Sequence, residues 1–550
     1  MTTEQLAGNA SGIARAGEIL RAGGLVAIPT ETVYGLAANA LDSDAVRRIY
    51  AAKDRPADNP LIVHITEIIQ WLPLVESLPE EALRLAEAFW PGPLTVILKK
   101  SGLVPEITSG GLDTVAVRCP SHPMARAVIE AAGVPLAAPS ANLSGRPSPT
   151  SFSDTLSHLD GRVEAVLDGG DCAVGVESTV VSLAGDCPRL LRPGGVTAEQ
   201  LRQVLGRLEI DSAVTGMLAP GARAASPGMK YKHYAPKAEV TVVDGSPEEF
   251  AAWINGRYGH KSTETAYAKK ETAGVFALCF EETAPLVDVP AVTCGPRYHG
   301  ARQAQALFAA LHQLDSLGAR LVYAQRPVPR GVGLAVYNRL LRAAAFREEQ
   351  VPGPMVIGLV GPSGAGKSAF GAELSRLGFG VLDCDRFTRS AQVYDGACLA
   401  ELQAAFGEDV AAAGVLDRQL LAARAFGDQE SRARLEAITL PRIVRAVRAE
   451  TERLLAEGRP VVLDAPTLFE AGLDSMCRRV VAVTAPEPVR LARVLRRDGL
   501  TEAQALQRLR AQPPLEFYQA RADLLVDTAE GGDLARLARR AARELKGGVG

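Results

Sequence analysis

A phosphate-loop motif constrains the fold of this chain more than any other sequence feature. Residues 361–368 read GPSGAGKS and match the pattern GxxxxGK[ST], between an apolar run, MVIGLVG, and a helical pattern, AFGAELSRLG. The glycines let backbone N–H groups wrap phosphates at a helix N-terminus, where Lys367 neutralises phosphate charge and Ser368 can hold Mg²⁺. The motif predicts the following ATP contacts: Gly361, Gly364, Ala365, Gly366, Lys367 and Ser368.

Short apolar runs around the motif predict the fold of the last part of the chain. They read MVIGLVG, FGVLDCD, PVVLDAP, RVVAVTA and DLLVDT, and long helical segments separate them. Continuous apolar runs alternating with helices are typical of parallel strands that are buried on both faces. We therefore expect a P-loop domain with a parallel doubly wound sheet over residues 354–550.

The rest of the chain is predicted to be α/β as well. Runs such as GLVAIPT, LIVHI, LTVILKK, VAVRCP and STVVSL alternate with helical patterns, but too closely for simple βαβ repetition, so we expect a twisted mixed sheet over residues 1–210. Residues 211–237 are rich in Ala, Gly, Pro and Ser and predict a linker that ends in a basic, aromatic patch. A strand–helix–strand–helix–strand pattern over 238–346 predicts a small Rossmann-like domain.

Composition limits the classes of function. The 550 residues include 60 Lys and Arg against 63 Asp and Glu, so the net charge of −3 does not predict tight nonspecific binding to nucleic acid or membrane. The N-terminus does not resemble a signal peptide, and no apolar run approaches the ~18 residues of a membrane helix. The eight cysteines are scattered without a CxxC pair, which argues against a disulfide framework or a zinc site and favours a reducing cytoplasm.

Two carboxylates follow the second strand of the phosphate-loop domain. Asp383 and Asp385 end the run FGVLDCD, at the carboxyl edge where open α/β sheets bind ligands, and in an extended segment they would point to the same face. One of them could deprotonate a hydroxyl acceptor, but such residues are about as often Mg²⁺ ligands or helix caps.

These residues together resemble the dephospho-coenzyme A kinase family. Its pattern matches GPSGAGKS, Asp383-Cys384-Asp385 with Arg389, DAPTLFEAGL, RLARVLRRDGLT and RLRAQPPLEFYQARADLLVDT, so the resemblance covers about 354–530. It implies that Asp385 is the base toward the ribose 3′-hydroxyl, that Asp383, Asp385 and Arg389 bind dephospho-CoA, and that Arg493 and Arg497 are lid cations that bind ATP. Leu440, before Pro441, replaces the usual His of the family, and Thr467 replaces a Leu.

The first part of the chain resembles the threonylcarbamoyl-AMP synthase family in its long form. The matching segments are IPTETVYGL, AAKDRPADNPLIVHI, WPGPLT, VAVRCP, PSANLSGRPSPT, GVESTVVSL and LLRPGGVT, followed by the linker SPGMKYKHYAPK and the segment GVGLAVYNRLLRAA, over about 13–345. The family hallmark, K-x-R followed by S-x-N, is present as Lys53, Arg55, Ser140 and Asn142. The chain is therefore interpreted as a fusion of two ATP-consuming enzymes.

The second resemblance implies a reaction and a site. The carbamate formed from L-threonine and bicarbonate or CO₂ would attack the α-phosphorus of ATP, assisted by cations and Mg²⁺, with Lys53 and Arg55 as the catalytic phosphate clamp. The product would feed tRNA threonylcarbamoyl transferase machinery that makes N6-threonylcarbamoyladenosine. The implied ATP contacts are Lys53, Arg55, Asn59, Thr114, Ser140, Asn142, Arg192 and Tyr234. The implied threonine contacts are Thr32, His64, Arg118 and Ser178.

Alternatives remain open for both parts. The first could be an RNA-binding module, since the family's concave basic surface accommodates RNA, and tRNA contact would then depend steeply on salt. The last could be another small-molecule kinase, or a weakened kinase domain kept for binding or assembly. The Asp385 strand and the lid match favour the stated kinase, and Leu440 favours weakening.

Overall fold

The fold is described from a computed structural model, which covers residues 2–218, 226, 234–259, 273–390, 392–529 and 533–545. The chain divides into two compact units. The first comprises Met1–Asp244 and Phe250–Gln350, and the second comprises Val351–Gly550 with the short segment Gly245–Glu249. Most of the linker motif SPGMKYKHYAPK, residues 227–233, lies outside the described residues.

A large mixed sheet forms the N-terminal domain of the first unit. Its strands β1 to β11 are, in chain order, Glu4–Leu6, Val26–Ile28, Gly35–Asn39, Ile62–His64, Leu94–Lys99, Thr114–Arg118, Leu136–Ala137, Ala165–Leu167, Thr179–Ser182, Arg189–Arg192 and Glu209–Ile210. Their order across the sheet is β1-β8-β2-β3-β7-β4-β6-β5-β9-β10-β11. Parallel pairs such as β4/β6 alternate with antiparallel pairs such as β5/β6, which confirms the predicted mixed sheet.

Helices cover this sheet on both faces. They are α1 to α7: Ala10–Arg21, Ser43–Ala52, Glu80–Phe89, Glu106–Ser109, Pro123–Ala132, Phe152–Leu159 and Ala198–Leu205. Short 3₁₀ turns span Ile68–Gln70, Leu72–Leu74 and Ser212–Val214. One face packs Leu20 of α1 and Ile129 of α5 against Val26, and the other forms a larger core that includes Val46, Leu85 and Val117.

A second, fully parallel sheet forms the C-terminal domain of the first unit. Its strands β12 to β16 are Glu239–Asp244, Val275–Cys279, Ala291–Thr293, Leu321–Gln325 and Glu348–Gln350, in the order β14-β13-β15-β12-β16. The helices are α8 to α10, Pro247–Tyr258, Gly300–Ser316 and Gly333–Ala343, with a 3₁₀ turn at Ala284–Leu286. Strand β16 lies beyond Phe346 and pairs with β12. Its sequence, EEQ, carries no apolar signal because it is an exposed edge strand.

The second unit has the predicted parallel doubly wound sheet. Strands β17 to β21 are Val356–Val360, Gly380–Asp383, Val461–Asp464, Arg479–Thr484 and Leu524–Asp527, in the order β18-β19-β17-β20-β21. Every described pair in it is parallel, and each strand lies within one of the five predicted apolar runs. The central position of β17 brings the phosphate loop to the middle of the carboxyl edge.

Helices of the second unit lie between and after these strands. They are α11 to α19: Lys367–Arg376, Cys384–Phe387, Gly396–Phe406, Arg418–Ala425, Gln429–Ala456, Glu487–Asp498, Glu502–Arg510, Leu515–Arg521 and Leu534–Leu545. Two 3₁₀ segments span Glu408–Gly414 and Leu473–Met476. Helices α13 to α15 pack on one another in a small apolar cluster of their own, which includes Leu402 and Leu421. They form a helical insertion between β18 and β19.

Two further observations concern the chain as a whole. Among the described residues, none of the helices combines the length and the apolar character that crossing a membrane requires. None of the eight cysteines is in a disulfide bond, and all of them except Cys187 are buried.

Candidate active sites

A small cavity of about 40 Å³ lies in the first unit and collects most of the predicted synthase residues. Eight of the twelve predicted residues line it: Thr32, Arg55, His64, Arg118, Ser140, Ser178, Arg192 and Tyr234. The sequence did not single out the other residues of the lining: Val33, Ile62, Ala138, Pro139 and Glu177. These five belong to segments that carried the family resemblance or directly precede one, so only their individual positions were missed.

Arg118 forms one wall of this cavity. Its Nη1 donates to Thr32 Oγ1 at 2.9 Å, and its Nη2 lies 2.7 Å from a carboxylate oxygen of Glu31. Burial alone would raise the pKa of Glu31, but the Arg118 guanidinium outweighs it and the pKa is lowered. Glu31 therefore stays ionised and fixes the guanidinium at the end of β6, where it can meet a carboxylate.

Arg192 and Ser178 form another part of the cavity lining. Arg192 donates from Nε to the Ser178 carbonyl at 3.0 Å and from Nη2 to the Ser178 hydroxyl at 3.1 Å. The Ser178 hydroxyl also lies 2.7 Å from that of Thr95. Burial, the first cause, lowers the pKa of Arg192. This part of the lining presents a buried cation and a hydroxyl side by side.

Lys53 does not line the cavity. Its side chain is buried, and its ammonium donates to the backbone carbonyls of Ser140 and Asn142. Burial lowers the pKa of Lys53 well below its ordinary value. The Asn142 side chain accepts from the Ser140 hydroxyl at 2.5 Å and donates to Arg146 O at 2.9 Å. The K-x-R lysine therefore holds the S-x-N loop in place, and Ser140 alone of that loop pair reaches the cavity.

Arg55 is the member of the K-x-R pair that reaches the cavity. It is buried, and its Nη2 donates to the carbonyls of Asn59 and Pro60 at 3.4 and 3.2 Å. Its Nε lacks a hydrogen-bond partner among the described residues, as does Asn59 Oδ1. Burial lowers the pKa of Arg55 to about 10. An anionic ligand would satisfy this incompletely bonded guanidinium.

His64 and Thr114 occupy different surroundings. His64 lines the cavity with its Nδ1 3.1 Å from Ile62 O, and burial, followed by the charge of Arg118, lowers its pKa to about 3. His64 is therefore neutral and can offer only hydrogen bonds. Thr114 begins β6, whereas Arg118 at the cavity ends the same strand, so Thr114 lies outside the lining.

The C-terminal domain of the first unit completes the cavity region. Arg339 of α10 is fully buried, and its Nε donates to Glu177 Oε2 at 2.9 Å. Tyr234, from the linker, is buried with its ring centroid 5.5 Å from that of Phe308 in α9. At Gly175, an added Cβ would lie 2.3 Å from the backbone of Gln305, so the two domains meet too closely there for a side chain.

A second and much larger cavity, of about 710 Å³, lies over the phosphate loop of the second unit. Eight predicted residues line it: Gly361, Gly364, Gly366, Lys367, Ser368, Asp385, Arg493 and Arg497. Further lining comes from Pro362, Ser363, Ala369, Pro466, Arg496, Arg508 and Gln512. Such a volume is in the range of small-molecule and cofactor sites.

The phosphate loop is held from both sides. Gly364 has φ +78°, and a Cβ there would lie 2.5 Å from the backbone carbonyl of Arg490, so only glycine fits. Arg493 donates to Gly364 O at 3.2 Å, to Ala365 O at 3.3 Å and to Thr528 Oγ1 at 2.8 Å. Arg493 therefore contacts the loop backbone, while Ala365 itself is buried beneath it.

The carboxylates around Lys367 are arranged differently from the sequence expectation. Asp383 and Asp385 do not share one extended segment: Asp383 is the N-cap of the short helix α12, and its side chain accepts from Asp385 N at 3.1 Å. The extended reading was wrong because the cap starts a helical turn at Cys384. Asp385 lines the cavity and Asp383 does not. Lys367 forms an ion pair with Asp464, a buried residue at the end of β19 that the sequence did not single out.

Arg389 and Leu440 lie outside the lining of the larger cavity. Arg389 is exposed, and its carbonyl accepts from Arg418 Nη2 at 3.2 Å. Leu440 and Pro441 lie inside the long helix α15. Arg497 is paired with Asp498 at 2.7 Å, although it borders the cavity.

Hard oxygen ligands for Mg²⁺ are present at the larger cavity. The Ser368 hydroxyl and the Asp385 carboxylate both line it, and Asp464 ends the neighbouring strand. These oxygen donors suit Mg²⁺ bound together with phosphates. Among the described residues that line the smaller cavity, Glu177 is the one carboxylate, and it already binds Arg339 and Ser148, so that lining does not fit a metal. In the described part of the chain, no cluster of three or more His, Cys, Asp or Glu side chains could hold one.

Three family models match the chain in order. A model described as Telomere recombination, Sua5_yciO_yrdC, matches residues 18–194. A model of the threonylcarbamoyl-AMP synthase C-terminal domain matches 196–345, and a model of dephospho-CoA kinase matches 355–532. The matches meet at 195 and between 345 and 355, so they account for both units.

Individual proteins show the same two similarities. Threonylcarbamoyl-AMP synthase of Bacillus subtilis is 44% identical over 347 residues, which are 63% of this chain and 96% of that protein. The crystal structure of Pyrococcus abyssi Sua5 complexed with L-threonine has a TM-score of 0.58 at 42% identity and covers 64% of this chain and all of its own. Dephospho-CoA kinase of Anaeromyxobacter dehalogenans is 44% identical over 198 residues, 36% of this chain and 94% of that protein.

Proposed function

Since the chain belongs to the threonylcarbamoyl-AMP synthase family over residues 18–345 and to the dephospho-CoA kinase family over residues 355–532, we propose that its two cavities carry out the two reactions separately. The smaller cavity makes threonylcarbamoyl-AMP and pyrophosphate from ATP, L-threonine and bicarbonate or CO₂. The larger cavity transfers the γ-phosphoryl group of ATP to dephospho-CoA. The product of the first reaction is an activated threonylcarbamoyl group, which tRNA threonylcarbamoyl transferase machinery would consume.

The threonine pocket is assigned to Arg118, Thr32, His64 and Ser178. Arg118, fixed by Glu31, binds the amino acid carboxylate by charge-assisted hydrogen bonds. Thr32 and Ser178 offer hydroxyls to the threonine side chain and amine, and His64 is neutral and adds no further positive charge to the pocket. The amine of threonine adds to CO₂ and loses a proton, which gives the carbamate.

The ATP contacts of the synthase are assigned to Arg55, Arg192, Ser140 and Tyr234, with Lys53 and Asn142 shaping the loop that carries Ser140. A carbamate oxygen attacks the α-phosphorus, and the bond from that phosphorus to the bridging oxygen of pyrophosphate breaks. Negative charge develops on the phosphate oxygens, where Arg55 and Arg192 stabilise it in a site of low dielectric. Asn59 is proposed to support Arg55, and Thr114 stays a predicted nucleotide contact outside the present lining.

One observation carries the synthase assignment. Eight side chains from segments spread between residues 32 and 234 converge on one cavity, and three of them are buried guanidinium groups: Arg55, Arg118 and Arg192. Burying three cations together is unfavourable unless anions compensate them. Glu31 pairs with Arg118, whereas Glu177 pairs with a fourth buried guanidinium, that of Arg339. A ligand with a carboxylate and a polyphosphate supplies the missing negative charge.

In the kinase cavity, the phosphate-loop N–H groups and Lys367 bind the β- and γ-phosphates. Asp385 accepts the proton of the ribose 3′-hydroxyl, whose oxygen attacks the γ-phosphorus as ADP leaves. Arg497 and the neighbouring Arg496 and Arg508 border the transferring group, and Arg493 holds the loop. Asp383 and Arg389 are proposed to act on dephospho-CoA through the helix that carries Asp385.

Mg²⁺ is proposed as the cofactor of the kinase, held by Ser368 with Asp385 or Asp464 nearby, and it would neutralise phosphate charge during transfer. The lining of the synthase cavity does not fit a metal, so Arg55 and Arg192 are assigned the phosphate charge there. Cysteines that form no disulfide bond fit the reducing cytoplasm, which we propose as the location.

The full-length chain, purified once, tests both assignments. Pyrophosphate should form only when ATP, threonine and bicarbonate are all present, and ADP should form only when dephospho-CoA is present. Pyrophosphate release that does not depend on threonine would contradict the synthase assignment. RNA binding with steep salt dependence and no pyrophosphate would support the RNA-binding alternative instead. A greater yield of ADP with another hydroxyl acceptor would instead identify the second unit as a kinase for that acceptor.

A further inference from the structure

Glu177 places a negative charge in the wall of a cavity that is otherwise lined by cations. It directly precedes Ser178, and its side chain is buried. Burial alone would raise its pKa, but the charges of Arg339 and Arg192 outweigh that effect and the pKa is lowered. An ionised carboxylate at this position repels the phosphates of ATP unless another group compensates it.

Arg339 compensates that charge from a different domain. It belongs to α10 of the C-terminal domain, is 0% exposed, and donates from Nε to Glu177 Oε2 at 2.9 Å. Ser148 donates its hydroxyl to the other carboxylate oxygen of Glu177. The ion pair is fully desolvated, so removal of either partner would leave a buried charge without its counter-charge.

Arg339 also fixes the backbone on both sides of the cavity wall. Its Nη1 donates to Pro193 O at 2.6 Å, next to Arg192, and its Nη2 donates to Glu177 O at 3.3 Å, next to Ser178. Arg192 and Ser178 hydrogen-bond to each other. One guanidinium therefore holds the chain beside two residues that face the cavity.

We propose that Arg339 is a positioning residue for the synthase reaction: its charge neutralises Glu177, so that this carboxylate neither repels the phosphates of ATP nor competes with them for Arg192. The proposal rests on the proposed function of the smaller cavity. Arg192 is the other cation whose charge lowers the pKa of Glu177, so it would take over as the counter-charge if Arg339 were removed. Arg192 would then pair with a protein carboxylate instead of with the nucleotide.

The alternative is that Arg339 only holds two domains together. Both roles predict that losing Arg339 impairs the enzyme, but only the charge role predicts that losing the Glu177 charge repairs it. The matched variants are therefore Arg339→Gln, which is neutral and can still donate to Pro193 O, Glu177→Gln, the double variant, and Arg339→Lys, which keeps the charge.

The measurement is the KM for ATP and kcat of threonine-dependent pyrophosphate formation by the full chain. Since the kinase releases ADP, it does not contribute to pyrophosphate, and its rate serves as an internal control for active protein. We expect Arg339→Gln to raise the KM for ATP at least about tenfold, with a smaller change in the KM for threonine. The double variant should return the KM for ATP to within about threefold of the parent, and Arg339→Lys should stay within about fivefold.

Two results would overturn the proposal. A double variant as impaired as Arg339→Gln would show that the charge of Glu177 is not the cause, and a Glu177→Gln variant equally impaired would assign Glu177 a direct role. Should Arg339→Gln instead prevent folding of the first unit, loss of that unit's thermal transition with intact kinase activity would show it. The comparison of Arg339→Lys with the parent then decides between charge and geometry. Absence of pyrophosphate formation by the parent chain would refute the proposed function itself, which is a distinct result.

Discussion

The two nucleotide cavities of this chain differ in how they present positive charge to the phosphates of ATP. The smaller cavity, of about 40 Å³, is bordered by Arg55 and Arg192, which are 8% and 6% exposed and already bonded to protein carbonyls. The larger cavity, of about 710 Å³, is bordered by glycine backbone and by Arg497 and Arg508, whose side chains are half exposed. The smaller site buries its arginines, whereas the larger site keeps Arg497 and Arg508 partly in solvent.

The difference concerns how each site admits its ligand. A volume of about 40 Å³ holds a few waters at most and is far below the ~300 Å³ of a typical ligand pocket. We therefore expect the synthase site to open when ATP binds. The phosphate loop is preformed, because Gly364 and Gly366 adopt positive φ and Arg493 holds the carbonyls of residues 364 and 365. The kinase site can bind ATP without rearranging its loop.

The largest expected effect is at the phosphate loop. Lys367→Ala should lower ADP formation with dephospho-CoA by on the order of a thousandfold and should weaken ATP binding, because it removes the cation that contacts the β- and γ-phosphates. Asp385→Asn should lower turnover comparably while ATP affinity stays nearly intact, since Asp385 acts on the acceptor. Kinetic assays and ATP titrations of each variant measure the contrast.

Loss of ATP binding in Asp385→Asn would instead identify Asp385 as a metal-site residue. Asp464, which pairs with Lys367, would then be the first candidate for the base that deprotonates the acceptor hydroxyl, and Asp383 would be the second. Threonine-dependent pyrophosphate release is the internal control and should be unchanged in both variants.

The next effect separates the two members of the K-x-R pair. Arg55→Ala should cost about 2–4 kcal/mol of transition-state stabilisation in the synthase reaction, because it removes a charge-assisted contact to the phosphates. Lys53→Ala should also impair the synthase, but by freeing the loop that carries Ser140, so it should lower thermal stability of the first unit as well. Activity and calorimetry of the two variants, compared side by side, test the division.

An Arg55→Ala variant that is destabilised as much as Lys53→Ala would refute this division of roles. Loss of kinase activity in either variant would show that the two reactions are coupled.

Acidification should affect the two units unequally. All seven histidines lie between residues 64 and 312, so the second unit has none. Burial lowers the pKa of His64 to about 3 and that of His158 to about 4, so the folded first unit excludes protons that the unfolded chain binds below pH 6.5. Stability is therefore complete above pH 6.5 and is lost as the pH falls toward these values, by about 2 kcal/mol from His64 at pH 5.

Calorimetry between pH 7 and pH 5 measures this difference. The transition of the first unit should move to lower temperature, and His64→Gln should reduce that movement. A transition of the second unit that falls by the same amount would contradict a histidine origin.

The smallest effect is expected at Leu440. It lies in α15 and does not line the kinase cavity, so Leu440→His should change the kcat of the kinase by less than about threefold. A large gain of activity would show that α15 approaches dephospho-CoA and that the kinase is weakened by this substitution.

The strands with apolar runs and the residues within sequence motifs could be predicted from the sequence. Elements and partners that are defined only by contacts between distant parts of the chain could not. The five strands of the kinase are continuous apolar runs, so they were visible, whereas β16 is a three-residue polar edge strand that only its pairing with β12 defines. Spacing suggested that Asp383 and Asp385 share a face, but a helix cap changed the local geometry.

The same limit applies to the sites. Arg55 and Lys53 stand two residues apart in one motif, and only the position of the loop at Ser140 decides that one faces the cavity and the other supports it. Arg339 and Glu177 are separated by 162 positions in the sequence. Asp464 ends β19 and pairs with Lys367, which follows the neighbouring strand β17. A single sequence carries no local signal for such partners.

The most direct test is the rate at which each site binds ATP. Stopped-flow binding of a fluorescent ATP analogue to the Lys367→Ala chain reports the synthase site, and binding to the Arg55→Ala chain reports the kinase site. We expect the observed rate at the kinase site to rise linearly with nucleotide concentration, at about 10⁵–10⁷ M⁻¹s⁻¹. The rate at the synthase site should instead reach a plateau set by its opening, and a linear dependence of the same slope at both sites would contradict the account.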